Sequence, residues 1–270
     1  MTFNTSKYRK LIKYWLGFFF KPVNQIKVPI PIEKKRILVL GVYLSDQLNT
    51  SNHIVSELKK YSYHQIDQQW ARLGAREGSS LVESVTVYRN NQLVPKFQVL
   101  NFLLSMVKIS EFDLLIVFDD DIILPNTFID SFVYAQEKCN FSLCQPARTP
   151  NSWIDHEIVK QQPKLLARQT RFVEIGPVFS IKSDLFSALL PFNELSPMGW
   201  GLDFVWPAQV EHAQKRMGII DAVPINHSIR KPRENYGYDK ALNELNCLIS
   251  LYPHLDKKDA STVLSYINLI

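Results

Sequence analysis

Phe112-Asp113-Leu114-Leu115-Ile116-Val117-Phe118-Asp119-Asp120-Asp121 is the stretch whose reading decides the fold of this chain. Its centre, Leu114 to Phe118, is an unbroken run of apolar side chains that stops at three consecutive acids. A short apolar run without alternation belongs to a strand covered on both faces, as in a mostly parallel sheet. The acids then stand at the carboxyl end of a core strand, where open α/β sheets bind ligands. Three adjacent carboxylates repel one another, and a cation among them relieves the repulsion. Asp119 and Asp121 flank Asp120, and in an extended segment alternate side chains point the same way. Such a pair suits Mg²⁺ or Mn²⁺, hard ions that take oxygen ligands and bridge to substrate phosphates. The plain alternative is a solvated acidic loop, since short acidic triplets are common.

Outward from this stretch, strand and helix patterns alternate. Arg36 to Tyr43 reads as the first core strand, Tyr63 to Trp70 as a second, and Leu81 to Tyr88 as a third or an edge. Asn52 is placed to cap a helix running to Lys60, and Pro95 to open one through Val107. Beyond the acids, Phe128 to Lys138 reads as helix, Phe141 to Pro146 as strand, and Phe172 to Ile181 as strand around Gly176-Pro177. Ser183 is placed to cap a helix to Leu190. A helix to about Met217 precedes a short strand, Gly218 to Val223, and Tyr238 to Leu251 reads as a polar-faced helix. Residues 147–171 have few apolar anchors and read as a mobile loop over a site. The alternation predicts an α/β fold: a mixed, mostly parallel sheet flanked by helices. No GxGxxG and no GKS or GKT string occurs, so ordinary dinucleotide and P-loop sites are unsupported.

The chain has 270 residues, 46% apolar and 21% charged, which is a globular composition. Its +5 charge is uneven: residues 1–36 hold nine Lys and Arg against Glu33, a net +8, so the remainder carries −3. The basicity belongs to an amino-terminal arm, and no nucleic-acid partner is expected from it. Within that arm, residues 7–20 mix cations with Tyr8, Leu11, Ile12, Trp15 and Phe19 on one helical stripe. The stripe fits either the headgroup layer of an anionic membrane or a docking face on protein. Pro22, Pro29 and Pro31 then read as a linker. The expected organisation is an arm over 1–35 and a single domain over 36–270. Three cysteines without a metal-type pair, no apolar run long enough to span a membrane and no secretory signal point to a cytoplasmic protein, with peripheral membrane contact as a second feature.

A second constellation lies at Gly199-Trp200-Gly201-Leu202-Asp203-Phe204. Glycines on both sides of a tryptophan permit tight turns and close approach of a ligand. Trp200 offers a flat apolar face with one N–H donor, on which a sugar ring can rest. Asp203 falls in the first turn of the following helix, where a carboxylate serves either as general base or as a helix-dipole charge.

Together these segments resemble glycosyltransferases of the GT-A fold, whose donor motif is Asp-x-Asp and whose galactosyltransferase-like members carry Gly-Trp-Gly followed by acids. The carboxyl half is more closely similar to a family of plant and bacterial proteins of unknown function. That similarity is carried by Phe118-Asp119-Asp120-Asp121, Gln145-Pro146-Ala147, Phe172 to Ser180, Gly199 to Phe204, and Gly218-Ile219-Ile220-Asp221 with His227. It spans about residues 90–240.

The resemblance implies a GT-A-like, Rossmann-like fold and a metal-dependent transferase. Such an enzyme moves a sugar from a nucleotide-diphospho-sugar, with UDP favoured, to a hydroxyl of a glycan or glycolipid, with inversion. Asp119, Asp121 and His227 would hold Mn²⁺ or Mg²⁺. Asp203 would be the base, with Asp221 its rival. Trp200, Gly199, Gly201, Asp120 and Gly41 are the expected substrate-facing positions. Arg230, Lys231 and Arg233 are placed to neutralise the leaving diphosphate. Galactosyltransferases have more acids after Gly-Trp-Gly than this chain, where Phe204 follows Asp203. Bacterial surface-polysaccharide assembly fits the expected location. A non-catalytic carbohydrate-binding protein on a transferase fold and a metal-dependent nucleotidyltransferase are the alternative readings.

Overall fold

Leu114 to Phe118 form the centre of a strand in which every side chain is wholly excluded from solvent. They alternate between two cores. Leu114, Ile116 and Phe118 pack on one face of the sheet, and Leu115 and Val117 on the other. Each such burial contributes roughly 1.5–3 kcal/mol, so this strand anchors the molecule. The computed structural model describes residues 21–29, 33–60, 62–231 and 237–269. Its strands are β1 (Arg36–Leu44), β2 (Gln65–Leu73), β3 (Thr86–Asn90), β4 (Leu114–Asp119), β5 (Leu143–Arg148), β6 (Leu165–Thr170), β7 (Val178–Lys182), β8 (Met217–Ile225) and β9 (Val263–Asn268). Among the described residues they form one nine-stranded sheet in the order β3-β2-β1-β4-β7-β5-β8-β6-β9.

The strands β3, β2, β1 and β4 run parallel, β7 runs against β4 and β5, and β8 runs with β5. The carboxyl ends of β1, β2, β4, β5 and β8 therefore share one edge of the sheet. Helices cover both faces. On one side lie α1 (Ser51–Lys59) and α3 (Phe128–Cys139), through Ile54, Val55 and Phe132. On the other lie α2 (Lys96–Ser105), α4 (Leu202–His212) and α5 (Tyr238–Leu251), through Phe97, Leu100, Trp206 and Leu248.

Several expectations are corrected. Leu81 to Tyr88 divides into a helical turn, Ser80–Glu83, and then β3. The helix expected from Ser183 to Leu190 is a 3-10 turn, Ser183–Leu185, and a short helix, Phe186–Leu189. Helix α1 has Thr50, not Asn52, in its capping position. Residues 147–171 are not a bare loop: they contain a 3-10 turn at Glu157–Val159 and the buried strand β6. β6 escapes an apolar-pattern search because Arg168 lies inside it, 1% exposed, with its charge answered by Asp221. The edge strand β9 has no counterpart among the expected elements.

The stripe at residues 7–20 lies outside the described residues. Residues 21–29 are tied to the body: Gln25 N–H donates to Ala222 C=O at 2.8 Å and Lys21 Nζ to Asn126 Oδ1 at 2.6 Å. Among the described residues no helix is long and apolar enough to cross a membrane.

Candidate active site

A cleft of about 620 Å³ opens at the carboxyl edge of the sheet, and Asp119, Asp120 and Asp121 all line it. The size suits a small-molecule site. The three acids do not alternate as an extended strand would place them, because β4 ends at Asp119 and the chain bends. The bend is pinned by Thr50, whose N–H and hydroxyl both donate to Asp120 C=O, at 2.5 and 2.9 Å.

The three acids then meet different basic partners, with Arg230 serving two of them. Asp119 Oδ1 lies 2.6 Å from Lys96 Nζ, which also donates to Ile175 C=O at 2.8 Å. Gly176 closes over this pair, since a Cβ there would stand 2.6 Å from Asp119 Oδ2. Asp120 is gripped by both terminal nitrogens of Arg230, one at 3.0 Å from Oδ2, and Leu44 N–H donates to the same oxygen at 2.7 Å. Asp121 Oδ1 lies 3.3 Å from His227 Nε2, and its Oδ2 lies 3.4 Å from Arg230 Nη2. Burial works to raise the Asp121 carboxyl, but His227 and Arg230 outweigh it and hold the group well below its ordinary range. The same acids hold the Arg230 guanidinium above its usual value, against the effect of burial.

The fit to a divalent ion is partial. Among the described residues no group of three or more His, Cys, Asp or Glu side chains is arranged to hold a metal. Of the expected trio of Asp119, Asp121 and His227, the last two stand together, while Asp119 is turned to Lys96. Asp121 and His227 do fit as a pair. Neighbouring ligands on an octahedral ion with bonds of about 2.1 Å lie about 3 Å apart, close to their 3.3 Å separation. One or two protein ligands with water and substrate phosphate is a usual set for Mg²⁺.

Asp203 lines the same cleft from the first turn of α4. Gly201 precedes it with φ +94, a left-handed turn that favours glycine. Burial pushes the Asp203 carboxyl up to about 7, opposed by the backbone N–H groups of Asp203, Gly201 and Phe204. A second buried acid, Glu174, also lines the cleft and is likewise pushed to about 7. Burial wins there although Arg148 Nη2 stands 2.6 Å from Oε2, and the charges of Asp155 and Asp203 add to the rise. Sequence reasoning gave Glu174 no role. Its signal is that it is the only acid in the apolar string Phe172 to Ser180.

Trp200 is half-buried, lines the cleft and meets Tyr238 edge-on, with ring centroids 5.6 Å apart. Gly201 also lines it. Gly199, Gly41 and Asp221 do not join this group. Gly199 turns against Phe97, and Gly41 lies under Trp70. Asp221 is fully buried in β8, with both carboxylate oxygens on Arg168 at 2.8 and 2.9 Å. Both hydrogen bonds belong to the β6–β8 pairing, which removes Asp221 from the candidates for proton transfer.

No protein-family model and no curated protein sequence matches the chain. Solved structures do match in shape. GalNAc-T7 with UDP, GalNAc and Mn²⁺ superposes with a TM-score of 0.53 at 12% identity, over 75% of this chain and 45% of its own. The Pyrobaculum calidifontis mannosyltransferase PcManGT, in complex with GDP-Man and Mn²⁺, gives 0.53 at 14% identity, over 93% and 74%. Residues 1–349 of S. aureus TarS with UDP-GlcNAc give 0.54 at 7% identity, over 80% and 66%. The chain thus spans less than half of the GalNAc-T7 chain. The fold is that of the GT-A glycosyltransferases.

Proposed function

We propose that this chain is a metal-dependent glycosyltransferase that moves a sugar from a nucleotide-diphospho-sugar to a hydroxyl of a glycan or glycolipid, with inversion. The observation that carries the reading is that one cleft, on the ligand-binding edge of a GT-A sheet, brings together the Asp121–His227 pair and Asp203. Residues 36–270 form the catalytic unit in this reading and residues 1–35 an arm. UDP is the favoured donor nucleotide, since two of the three similar structures hold uridine nucleotides and two hold Mn²⁺.

Asp121 and His227 would hold the divalent ion, which supplies Lewis-acid charge to the donor diphosphate. Arg230 is anchored by Asp120 at the same end of the cleft and, with Lys231, stabilises charge developing on the leaving group. Asp203, whose carboxyl is poised near neutrality, accepts the proton of the acceptor hydroxyl. Trp200 and Tyr238 shape the ground on which the acceptor ring rests. A base facing the anomeric carbon from the side opposite the leaving group gives in-line displacement and inversion.

Thermal unfolding with UDP and GDP, each with and without Mn²⁺, tests the reading, because a ligand that binds only the native state raises the midpoint. A Mn²⁺-dependent rise with one nucleotide is expected, and it should vanish in Asp121→Ala. No shift with any nucleotide at saturating concentration would overturn it. The anomeric configuration of the product, read by NMR, tests inversion.

A further inference from the structure

The wall of the cleft beside Asp203 carries two lysines that, among the described residues, form no salt bridge. This wall is closed by α5 and the segment after it. Met198 N–H donates to Glu244 Oε2 at 2.9 Å, a Cβ on Gly201 would lie 3.3 Å from Leu245 Cα, and Leu255 N–H donates to Phe204 C=O at 3.0 Å. These contacts fix residues 237–257 against the turn that presents Trp200 and Asp203. Lys240, in the first turn of α5, and Lys257, just after the Asp256 cap, line the cleft from this wall.

Of the other cations lining the cleft, Lys96 is matched by Asp119, Arg148 by Glu174, and Arg230 by Asp120 and Asp121, while Lys231 follows Arg230 at the diphosphate end. Among the described residues no carboxylate stands within salt-bridge distance of Lys240 or Lys257. Glu244, one turn beyond Lys240, feels that charge, but its carboxylate takes Met198 N–H and makes no salt bridge with the lysine. A single exposed lysine is ordinary. Two lysines from separate segments, beside one base and one aromatic platform, set a local positive field that selects anions.

Resting on the transferase reading, we propose that the acceptor is a soluble, phosphate-bearing glycan or polyol. Its hydroxyl meets Asp203, its ring or chain lies on Trp200, and a neighbouring phosphate meets Lys240 and Lys257. In transfer, the acceptor oxygen forms a bond to the anomeric carbon and its proton goes to the Asp203 carboxylate. The bond from the anomeric carbon to the diphosphate breaks, and its electron pair leaves with the diphosphate. The acceptor's own phosphate is unchanged. The lysines act in binding the acceptor and not in the chemical step.

The test is calorimetric titration of the full chain, loaded with UDP and Mn²⁺, with short oligo(glycerol phosphate), with maltohexaose, with oligogalacturonate and with phosphatidylglycerol vesicles. Oligo(glycerol phosphate) is expected to bind at least about tenfold tighter than maltohexaose, with affinity falling as salt rises. The Lys240→Ala/Lys257→Ala variant is expected to lose about that factor while still showing the Mn²⁺-dependent nucleotide shift, which reports that it is folded. Equal binding of maltohexaose, or undiminished binding of oligo(glycerol phosphate) by the double variant, overturns the proposal. Tighter binding of oligogalacturonate overturns the phosphate assignment, and tighter binding of vesicles overturns the soluble source. If the wild-type chain binds no nucleotide, the transferase reading fails and this proposal falls with it. If it binds nucleotide but not oligo(glycerol phosphate), only this proposal fails.

Discussion

Asp121 Oδ1 and His227 Nε2 face each other at 3.3 Å, although 106 positions separate them in the chain. His227 is set in place by the strand that precedes it and by the 149–153 turn: its N–H donates to Ser152 Oγ at 2.9 Å, and its C=O accepts Trp153 N–H at 2.8 Å. The pair is therefore preorganised rather than assembled by a ligand. His227→Ala and Asp121→Asn should each weaken Mn²⁺ binding by more than about tenfold, measured by titration of the free protein with Mn²⁺ followed by electron paramagnetic resonance. Wild-type affinity in either variant would remove the metal from this pair.

Asp203 makes a prediction in pH. A carboxyl pushed up to about 7 accepts a proton only when ionised, so kcat/KM should fall about tenfold per pH unit below that value. Asp203→Asn should lower kcat by about 10²–10⁴-fold and leave Mn²⁺-dependent nucleotide binding intact. Stability carries the opposite sign. Asp203 rises from 3.8 to about 7 on folding and Glu174 from 4.5 to about 7. Each thus holds its proton more tightly when folded. The stabilisation is complete below the unfolded values and is lost as pH rises through about 7. The melting temperature should fall between about pH 4 and about pH 7, and less steeply in Asp203→Asn. An unchanged slope in that variant would refute the linkage.

Asp221 and Arg168 give a stability prediction. Their pair is almost wholly buried, and the other Arg168 donors reach Ile158 C=O at 2.6 Å and Lys160 C=O at 3.0 Å. Removing one member leaves a buried charge without a partner, which costs about 3–5 kcal/mol. Asp221→Ala should therefore lower the denaturant midpoint sharply, while Asp203→Asn should not. Loss of activity at full stability in Asp221→Asn would return Asp221 to the chemistry.

The legible parts of this molecule are those in which one sequence feature does one job. β4 and its acids stand out because an apolar run that stops abruptly at charge suits little except the end of a core strand. The helix Tyr238–Leu251 matches its expected limits, as its amphipathic pattern is uninterrupted. Long-range pairing is what local pattern conceals. Arg168 looks like a loop residue, and Glu174 like a stray charge in a strand, until Asp221 and Arg148 are brought beside them. The divergence of Asp119, Asp120 and Asp121 has the same origin, since Lys96, Arg230 and His227 come from three distant places. Asp203 is readable because its turn carries two glycines next to a tryptophan, but its elevated pKa comes from burial, which no motif encodes.

Gly41 and Gly176 separate glycine as packing from glycine as part of the site. Gly41 sits inside β1, and a Cβ there would lie 2.3 Å from a ring carbon of the fully buried Trp70. The indole has no open space to move into, so Gly41→Ala must shift backbone or core. Overpacking of this kind costs roughly 1–3 kcal/mol. The variant should melt earlier and bind nucleotide with unchanged affinity once folded. Gly176→Ala differs, because its Cβ would meet the ends of two side chains, Asp119 Oδ2 at 2.6 Å and Lys96 Nζ at 3.0 Å. Those ends can move, at the expense of the Asp119–Lys96 pair at the mouth of the cleft. Gly176→Ala should therefore weaken nucleotide binding with a smaller change in melting temperature. Both variants measured by the same Mn²⁺–nucleotide thermal titration decide the matter: weakened nucleotide binding at an unchanged melting temperature in Gly41→Ala would place Gly41 among the substrate contacts after all.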